Sequence, residues 1–394
     1  MFFENLPEQF SKVILIGEIA FGFPVLAYLG NGRYDFIMSN QPHRKVPFSL
    51  RFKYGYYQFF DHFFGRERFF RWTRRGRKRF YEKLEKHLKK GGPGREIPVE
   101  RVTDISKEDF INKYVKKGIP VIITGAAKNW KACNEWSLEY FKNLHGKDKV
   151  VFMDQTDISK NGYEDTTLGQ VIDDIRGGKG KYYRFYPLLE KHPEHLMDFD
   201  IKWLRARRLK RSFGEAFHVF ISGKGGFTPI HNASTPNIFV QCYGEKKWVM
   251  YPTEYFCVID PAPARNMYRS APIRNGIDFN SFEKNYKDYP LYQWVDSYTV
   301  HLKAGDVFYN PPFMWHTIQN PTDSIGVGYR YFAPLHSYRM LPLYYFLELF
   351  AFNPPIWVSY RNYADLNLIH LAETGQLEEY LKKTGKAKLT STVE

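Results

Sequence analysis

At 394 residues the chain is long enough for one large domain with extensions, or for two domains. Its 43% hydrophobic and 25% charged residues form an ordinary soluble profile, and three cysteines without zinc-site spacing (Cys133, Cys242, Cys257) argue against a disulfide framework and for a reducing compartment. A net charge of +15 calls for an acidic partner, whether nucleic acid, anionic lipid or an acidic substrate, and 18% aromatic residues predict a large aromatic core with some rings at the surface.

The first thirty residues carry apolar runs at Val13–Ile16 and Ile19–Leu29, interrupted by Glu18 and Pro24. A spanning helix needs ~20 nearly uncharged residues, so this stretch is expected to pack or to lie at an interface. Glu4 and Glu8 stand where a cleavable leader would be basic, so no signal peptide is expected. Residues 31–64 read as aromatic and loop-like. From Gly65 the chain turns strongly basic, and Arg77–Lys90 reads as a helix with Phe80, Leu84 and Leu88 on one face. Gly91-Gly92-Pro93-Gly94 is the best linker in the chain. Arginines interleaved with aromatic rings suit a membrane surface or single-stranded nucleic acid equally; a solvated face is the plain alternative.

Ser106 is placed to cap a helix that Gly118 and Pro120 end, and Val121–Thr124 follows as a buried strand. Short helices are expected over Trp136–Leu144 and Thr167–Ile175, and strands over Val150–Met153, Lys181–Tyr186 and Glu215–Ser222. His192 and His195 are expected at the surface, and His218 as a core residue on its strand.

The centre of the chain is FTPIHNASTPNIFVQCYGEKKWVMYP, Phe227–Pro252. Alternation puts Asn237, Phe239 and Gln241 on one strand face and Ile238, Val240 and Cys242 on the other. Gly244-Glu245 reads as a hairpin turn leading into Lys246–Tyr251. Residues 253–296 read as a polar insertion over a pocket mouth, with Arg265, Arg269 and Arg274 as surface charges by default. A second stretch, GDVFYNPPFMWH, runs from Gly305 to His316 and presents a histidine after a double proline. Two histidines on separate strands can share a metal if the sheet closes on itself. Arg330, a charge in the aromatic strand IGVGYRYF, suits either a bidentate carboxylate or a rim ion pair. From Leu335 the chain reads as helical, broken at Asn353-Pro354-Pro355, with a last amphipathic helix over Leu366–Leu381.

Thr228, His231, Asn237, Gly244, Lys246, Gly305, Asp306, Pro312 and His316 together resemble the cupin-like JmjC group of iron(II)/2-oxoglutarate oxygenases, over roughly residues 97–335. The resemblance implies a mostly β fold with helical additions, a double-stranded β-helix or jelly-roll barrel. The expected domains are 1–95, a basic, aromatic extension, 96–335, the barrel, and 336–394, a helical region; in relatives C-terminal helices often form a dimer interface, and the apolar stretch here could do that, pack on the barrel or touch a bilayer. The resemblance further implies iron bound by His231 and His316, and 2-oxoglutarate held by Lys246 and Thr228, with Asn237 and Arg330 beside it. The expected location is cytoplasmic, peripheral at a membrane.

One position departs. The family's metal-binding Asp, two residues after the first His, is Ala233, and Asn232 points to the opposite face. Gly328 likewise stands where several relatives have an Asn. Chloride could take the carboxylate's place, as in radical halogenases of related folds. Water could do so with weaker oxygenase chemistry, or the protein could be a non-catalytic scaffold. The substrate, small molecule or protein, carries no motif.

Overall fold

The structure, a computed structural model, describes residues 41–153, 163–179, 182–186, 188–261, 268–270 and 289–351. The N-terminal apolar runs, Arg265, Arg274 and the last amphipathic helix lie outside these.

Alternating apolar residues build two sheets that share an interior. One has the order β1 (Glu96–Pro98), β12 (Ser297–Leu302), β10 (Lys246–Tyr251), β14 (Trp315–Gln319), β8 (Phe227–Ala233) and β11 (Tyr268–Ser270). The other runs β2 (Arg101–Val102), β3 (Val121–Ile123), β13 (Val307–Asn310), β9 (Asn237–Tyr243), β15 (Ser324–Phe332), β7 (Phe213–Ser222) and β6 (Tyr182–Tyr186). A separate hairpin joins β4 (Lys149–Met153) and β5 (Tyr163–Thr167). Phe220, Phe239 and Phe308 of the second sheet meet Trp248, Met250, Leu302 and Ile318 of the first in one buried cluster. This is the expected jelly roll, in the form of two facing sheets.

The alternation in β9 holds. Phe239 faces the interior, while Ile238, Val240 and Cys242 pack outward under Phe110, Trp136, Phe141 and Leu168. The neighbouring strand β15 makes room with glycines: a Cβ on Gly326 would sit 2.3 Å from the Phe239 ring. The expected hairpin at Gly244-Glu245 is corrected. β9 and β10 belong to different sheets, and the turn carries the chain across the sandwich. Gly244 is required there, because its φ is +66° and a Cβ would lie 1.9 Å from the Asp323 carbonyl oxygen.

The outer face of the first sheet is covered by α1 (Phe48–Phe64) and α2 (Arg66–Lys89). Residues 48–64 are thus helical, not loop-like. Tyr54, Tyr57, Gln58 and Asp61 recur at helical spacing on the buried face. Phe80, Leu84 and Leu88 line α2 as expected, each contributing about 1.5–3 kcal/mol by burial. Between the two helices, Arg77 donates to Asp61 at 2.5 Å with both side chains buried, and its guanidinium lies 4.5 Å from the Tyr57 ring centre. Farther along the chain come α3 (Leu138–His145) and α4 (Leu168–Arg176), each N-capped by the hydroxyl before it, Ser137 and Thr167. The chain then closes over the α1 side with α5 (Pro334–Met340) and α6 (Pro342–Glu348), through Met340, Tyr344 and Leu347. Arg269 is corrected too. It is buried, donates to the Tyr344 carbonyl and lies 4.4 Å from that residue's ring centre.

Candidate metal and 2-oxoacid site

β8 and β14 are antiparallel neighbours, and His231 and His316 are direct register partners. Their ring centres lie 4.3 Å apart. Each ring is oriented by its own strand: Nδ1 of His231 is 2.8 Å from the Pro229 carbonyl oxygen, and Nδ1 of His316 is 2.9 Å from that of Met314. A carbonyl can only accept, so both Nδ1 atoms carry the proton and both Nε2 atoms carry the lone pair. That tautomer is the one a metal ligand needs. Trp248, stacked 5.2 Å from His316, closes the floor.

The double proline delivers His316 through an uncommon backbone. Phe313 has φ of +59°, which costs an aromatic residue of order 1–3 kcal/mol. Two bonds hold it there: the Phe313 N–H donates to the Ala233 carbonyl at 2.7 Å, and Asn232 Nδ2 donates to the Phe313 carbonyl at 3.2 Å. Asn232 is thus occupied in fixing the loop, on the face away from the histidines.

Lys246 enters from β10 and is fully buried. Its Nζ donates to Asn320 Oδ1 at 2.5 Å and to Ser324 Oγ at 2.9 Å. Burial pulls its pKa from 10.5 down to about 7. Thr228, also buried, accepts the Ile318 N–H at its hydroxyl, one bulge away from the histidine pair. On the opposite sheet, Asn237 pairs with Arg330 and faces Gly328, whose Cβ would come 2.9 Å from the Asn237 amide oxygen. That buried oxygen has no hydrogen-bond partner among the described residues. Arg330 is buried in β15, and His218, half-buried on β7, is held neutral by burial and by the Arg330 charge.

The cupin-like domain family matches residues 107–336, more than half of the chain. The chain belongs to the cupin-like JmjC family. It is 25% identical over 262 residues to JmjC domain-containing protein D of Dictyostelium discoideum, covering 56% of this chain and 53% of that protein. It is 23% identical over 246 residues to lysine-specific demethylase JMJ30 of Arabidopsis thaliana, covering 59% and 54%. The human tRNA wybutosine-synthesizing protein 5 is 22% identical over 260 residues, covering 60% of this chain and 78% of that protein. The chain thus spans about half the length of the first two of these relatives.

In this cupin-like site Ala233 lies two residues beyond His231 on β8, paired with Tyr268 of β11 as His231 is with Ser270. Alternation turns its methyl to the histidine side. Among the described residues, no carboxylate, thiol or third imidazole joins His231 and His316 within 4.8 Å. Among the described residues the donor set therefore offers a metal two imidazoles. Sequence reasoning missed Asn320 and Ser324 as the partners of Lys246. Ser324 was within reach of the sequence, because it shares the inward parity of Gly326 and Gly328. His218 lies at the Arg330 end of the interior instead of deep in the apolar core.

One histidine expectation fails elsewhere. His195 is buried, not at the surface, and its Nε2 lies 2.8 Å from His145 Nε2.

Proposed function

We propose that this chain is a 2-oxoacid-dependent oxygenase of the cupin-like type, with Fe(II) held by His231 and His316. The observation that carries the reading is the facing imidazole pair with both Nε2 lone pairs set by backbone carbonyls. Lys246 and Thr228 would hold the distal carboxylate of 2-oxoglutarate, with Asn237 and Arg330 completing a cationic, polar cradle. Fe(II) with this cosubstrate and O₂ supplies an oxidant for an unactivated C–H bond, while 2-oxoglutarate becomes succinate and CO₂. The chain's own part is to desolvate Lys246, to fix the imidazole tautomers and to close the floor with Trp248. Ala233 leaves the third ligand to water or to chloride, so hydroxylation and halogenation share this site. The test is succinate formation from 2-oxoglutarate with Fe(II) in air, in chloride and in chloride-free buffer. Iron-dependent succinate that His316→Ala abolishes supports the reading, and a dependence on chloride selects halogenation.

A second reading, a binding protein without catalysis, is favoured by Ala233 itself. It predicts binding of iron and 2-oxoglutarate with no succinate.

For location we propose an anionic membrane surface, ahead of nucleic acid. Phe48, Phe52 and Tyr56 follow one another at i, i+4 and i+8 on the exposed side of α1, and Phe70 and Trp72 stand out from α2 beside Arg68, Arg71, Arg74 and Arg75. Trp72 is 75% exposed, which suits insertion at a headgroup layer. Among the described residues no helix is long and apolar enough to cross a membrane.

A further inference from the structure

A second cluster of metal-type donors lies outside the sandwich interior, where the end of α3 meets the 3-10 turn Pro193–Asp198. One ligand atom each from His145, Glu194 and His195 falls within 4.8 Å of the others. The two Nε2 atoms are 2.8 Å apart. His195 Nδ1 is 2.8 Å from Asp198 Oδ2, and a carboxylate accepts, so Nδ1 carries the proton and Nε2 the lone pair. Asp198 is itself buried and fixed, receiving the Trp136 indole N–H at 2.8 Å and the Lys131 ammonium at 3.2 Å. A carboxylate bonded to the far nitrogen of an imidazole is the arrangement that orients histidine ligands of zinc. His192 stacks on His145 with ring centres 3.6 Å apart and is anchored to Asp148 at 2.8 Å.

We propose that His145 Nε2, His195 Nε2 and a Glu194 carboxylate oxygen form a second divalent-metal site that takes Zn(II) and clamps α3 to the Pro193–Asp198 turn. Two imidazoles and one carboxylate are a zinc ligand set, with a fourth position open on the exposed Glu194 side. At Zn–N distances of about 2.0–2.1 Å, tetrahedral ligand nitrogens sit roughly 3.4 Å apart. The pair needs about half an ångström of separation, which a helix end and a short turn can give, and the proton that His145 Nε2 donates to His195 Nε2 in the metal-free pair moves to His145 Nδ1 as the metal takes its place. A metal held there joins segments fifty residues apart in sequence. Asp198 acts as the positioning residue.

The test uses the full chain with Zn(II) or Co(II) as the probe. His145→Gln and Glu194→Gln alter half-buried and exposed residues, so both should fold. Wild type is expected to bind one equivalent more of Zn(II) than His145→Gln. Asp198→Asn should weaken that equivalent about 10–100-fold and His145→Gln at least as much. In a His231→Ala, His316→Ala variant, Co(II) should still give the visible bands of a tetrahedral centre, and Zn(II) should still raise Tm. His145→Gln should keep the iron and 2-oxoglutarate responses of the other site, so the two proposals fail separately. Equal zinc stoichiometry in wild type, His145→Gln and Glu194→Gln would overturn the inference. It would leave the two imidazoles as a hydrogen-bonded pair.

Discussion

Lys246→Met separates stability from function at one buried atom. A fall in pKa from 10.5 to about 7 corresponds to about 5 kcal/mol of unfavourable desolvation, at ~1.36 kcal/mol per pH unit. The hydrogen bonds to Asn320 and Ser324 that methionine forgoes offset about 1–3 kcal/mol of this. Their acceptors are not orphaned: Ser324 Oγ donates to Asn320 Oδ1 at 2.8 Å, and Asn320 Nδ2 donates to the Gly226 carbonyl at 2.6 Å. The ligand-free variant should therefore be more stable than wild type by about 2–4 kcal/mol, a Tm rise of roughly 3–5 °C for a chain of this length. The sign with pH follows from the depressed folded-state pKa. The wild-type penalty is fully present below pH 7 and fades as pH rises to 10.5, so the two melting curves should converge in alkali. The variant should also lose about ten- to hundredfold in 2-oxoglutarate affinity, equivalent to about 1.5–3 kcal/mol. Differential scanning fluorimetry from pH 6.5 to 10, with and without 2-oxoglutarate and metal, reads both effects. A variant less stable than wild type at pH 6.5, or one keeping the full 2-oxoglutarate shift, would refute the reasoning.

Ala233→Asp should tighten Fe(II) binding at least ~10-fold in competition with a chromophoric chelator, and unchanged affinity would mean that position 233 does not face the metal. Arg77→Ala should cost about 3–5 kcal/mol in urea unfolding, because it leaves the buried Asp61 carboxylate with the more distant Arg66 at 4.0 Å, while Asp61→Asn with Arg77→Met should recover much of that loss. Burial already holds the Asp61 pKa above its ordinary value despite Arg77. The chain should co-sediment with anionic vesicles at low salt and release at high salt, with Trp72→Ala weakening the attachment. No vesicle binding at low salt would return α1 and α2 to a solvated face, and stronger binding of single-stranded RNA would give the surface to nucleic acid.

Much of the site is legible in the sequence because its spacing is local. Thr228 and His231 sit on one strand, and period-two alternation assigns the faces of Asn237 and Ala233 without coordinates. Misreadings arise where partners are distant. Gly244 resembles a hairpin turn because local chemistry cannot say which sheet the next strand joins. His195 looked superficial because its partner His145 is fifty residues earlier, and Arg269 because the Tyr344 ring that receives it is seventy-five residues later. Residues 48–64 hid their helix because aromatic side chains occupy both faces, blurring the 3.6 period that Tyr54, Tyr57 and Asp61 carry.

Anaerobic titration of the wild-type chain with Fe(II) and 2-oxoglutarate tests the central claim most directly, with His316→Ala and Lys246→Met beside it. The expected result is the weak visible charge-transfer band of a 2-oxoacid–iron chelate, absent with His316→Ala and needing far more 2-oxoglutarate with Lys246→Met. No band in wild type at millimolar iron and 2-oxoglutarate, or a band unchanged in both variants, would contradict a site built on His231, His316 and Lys246.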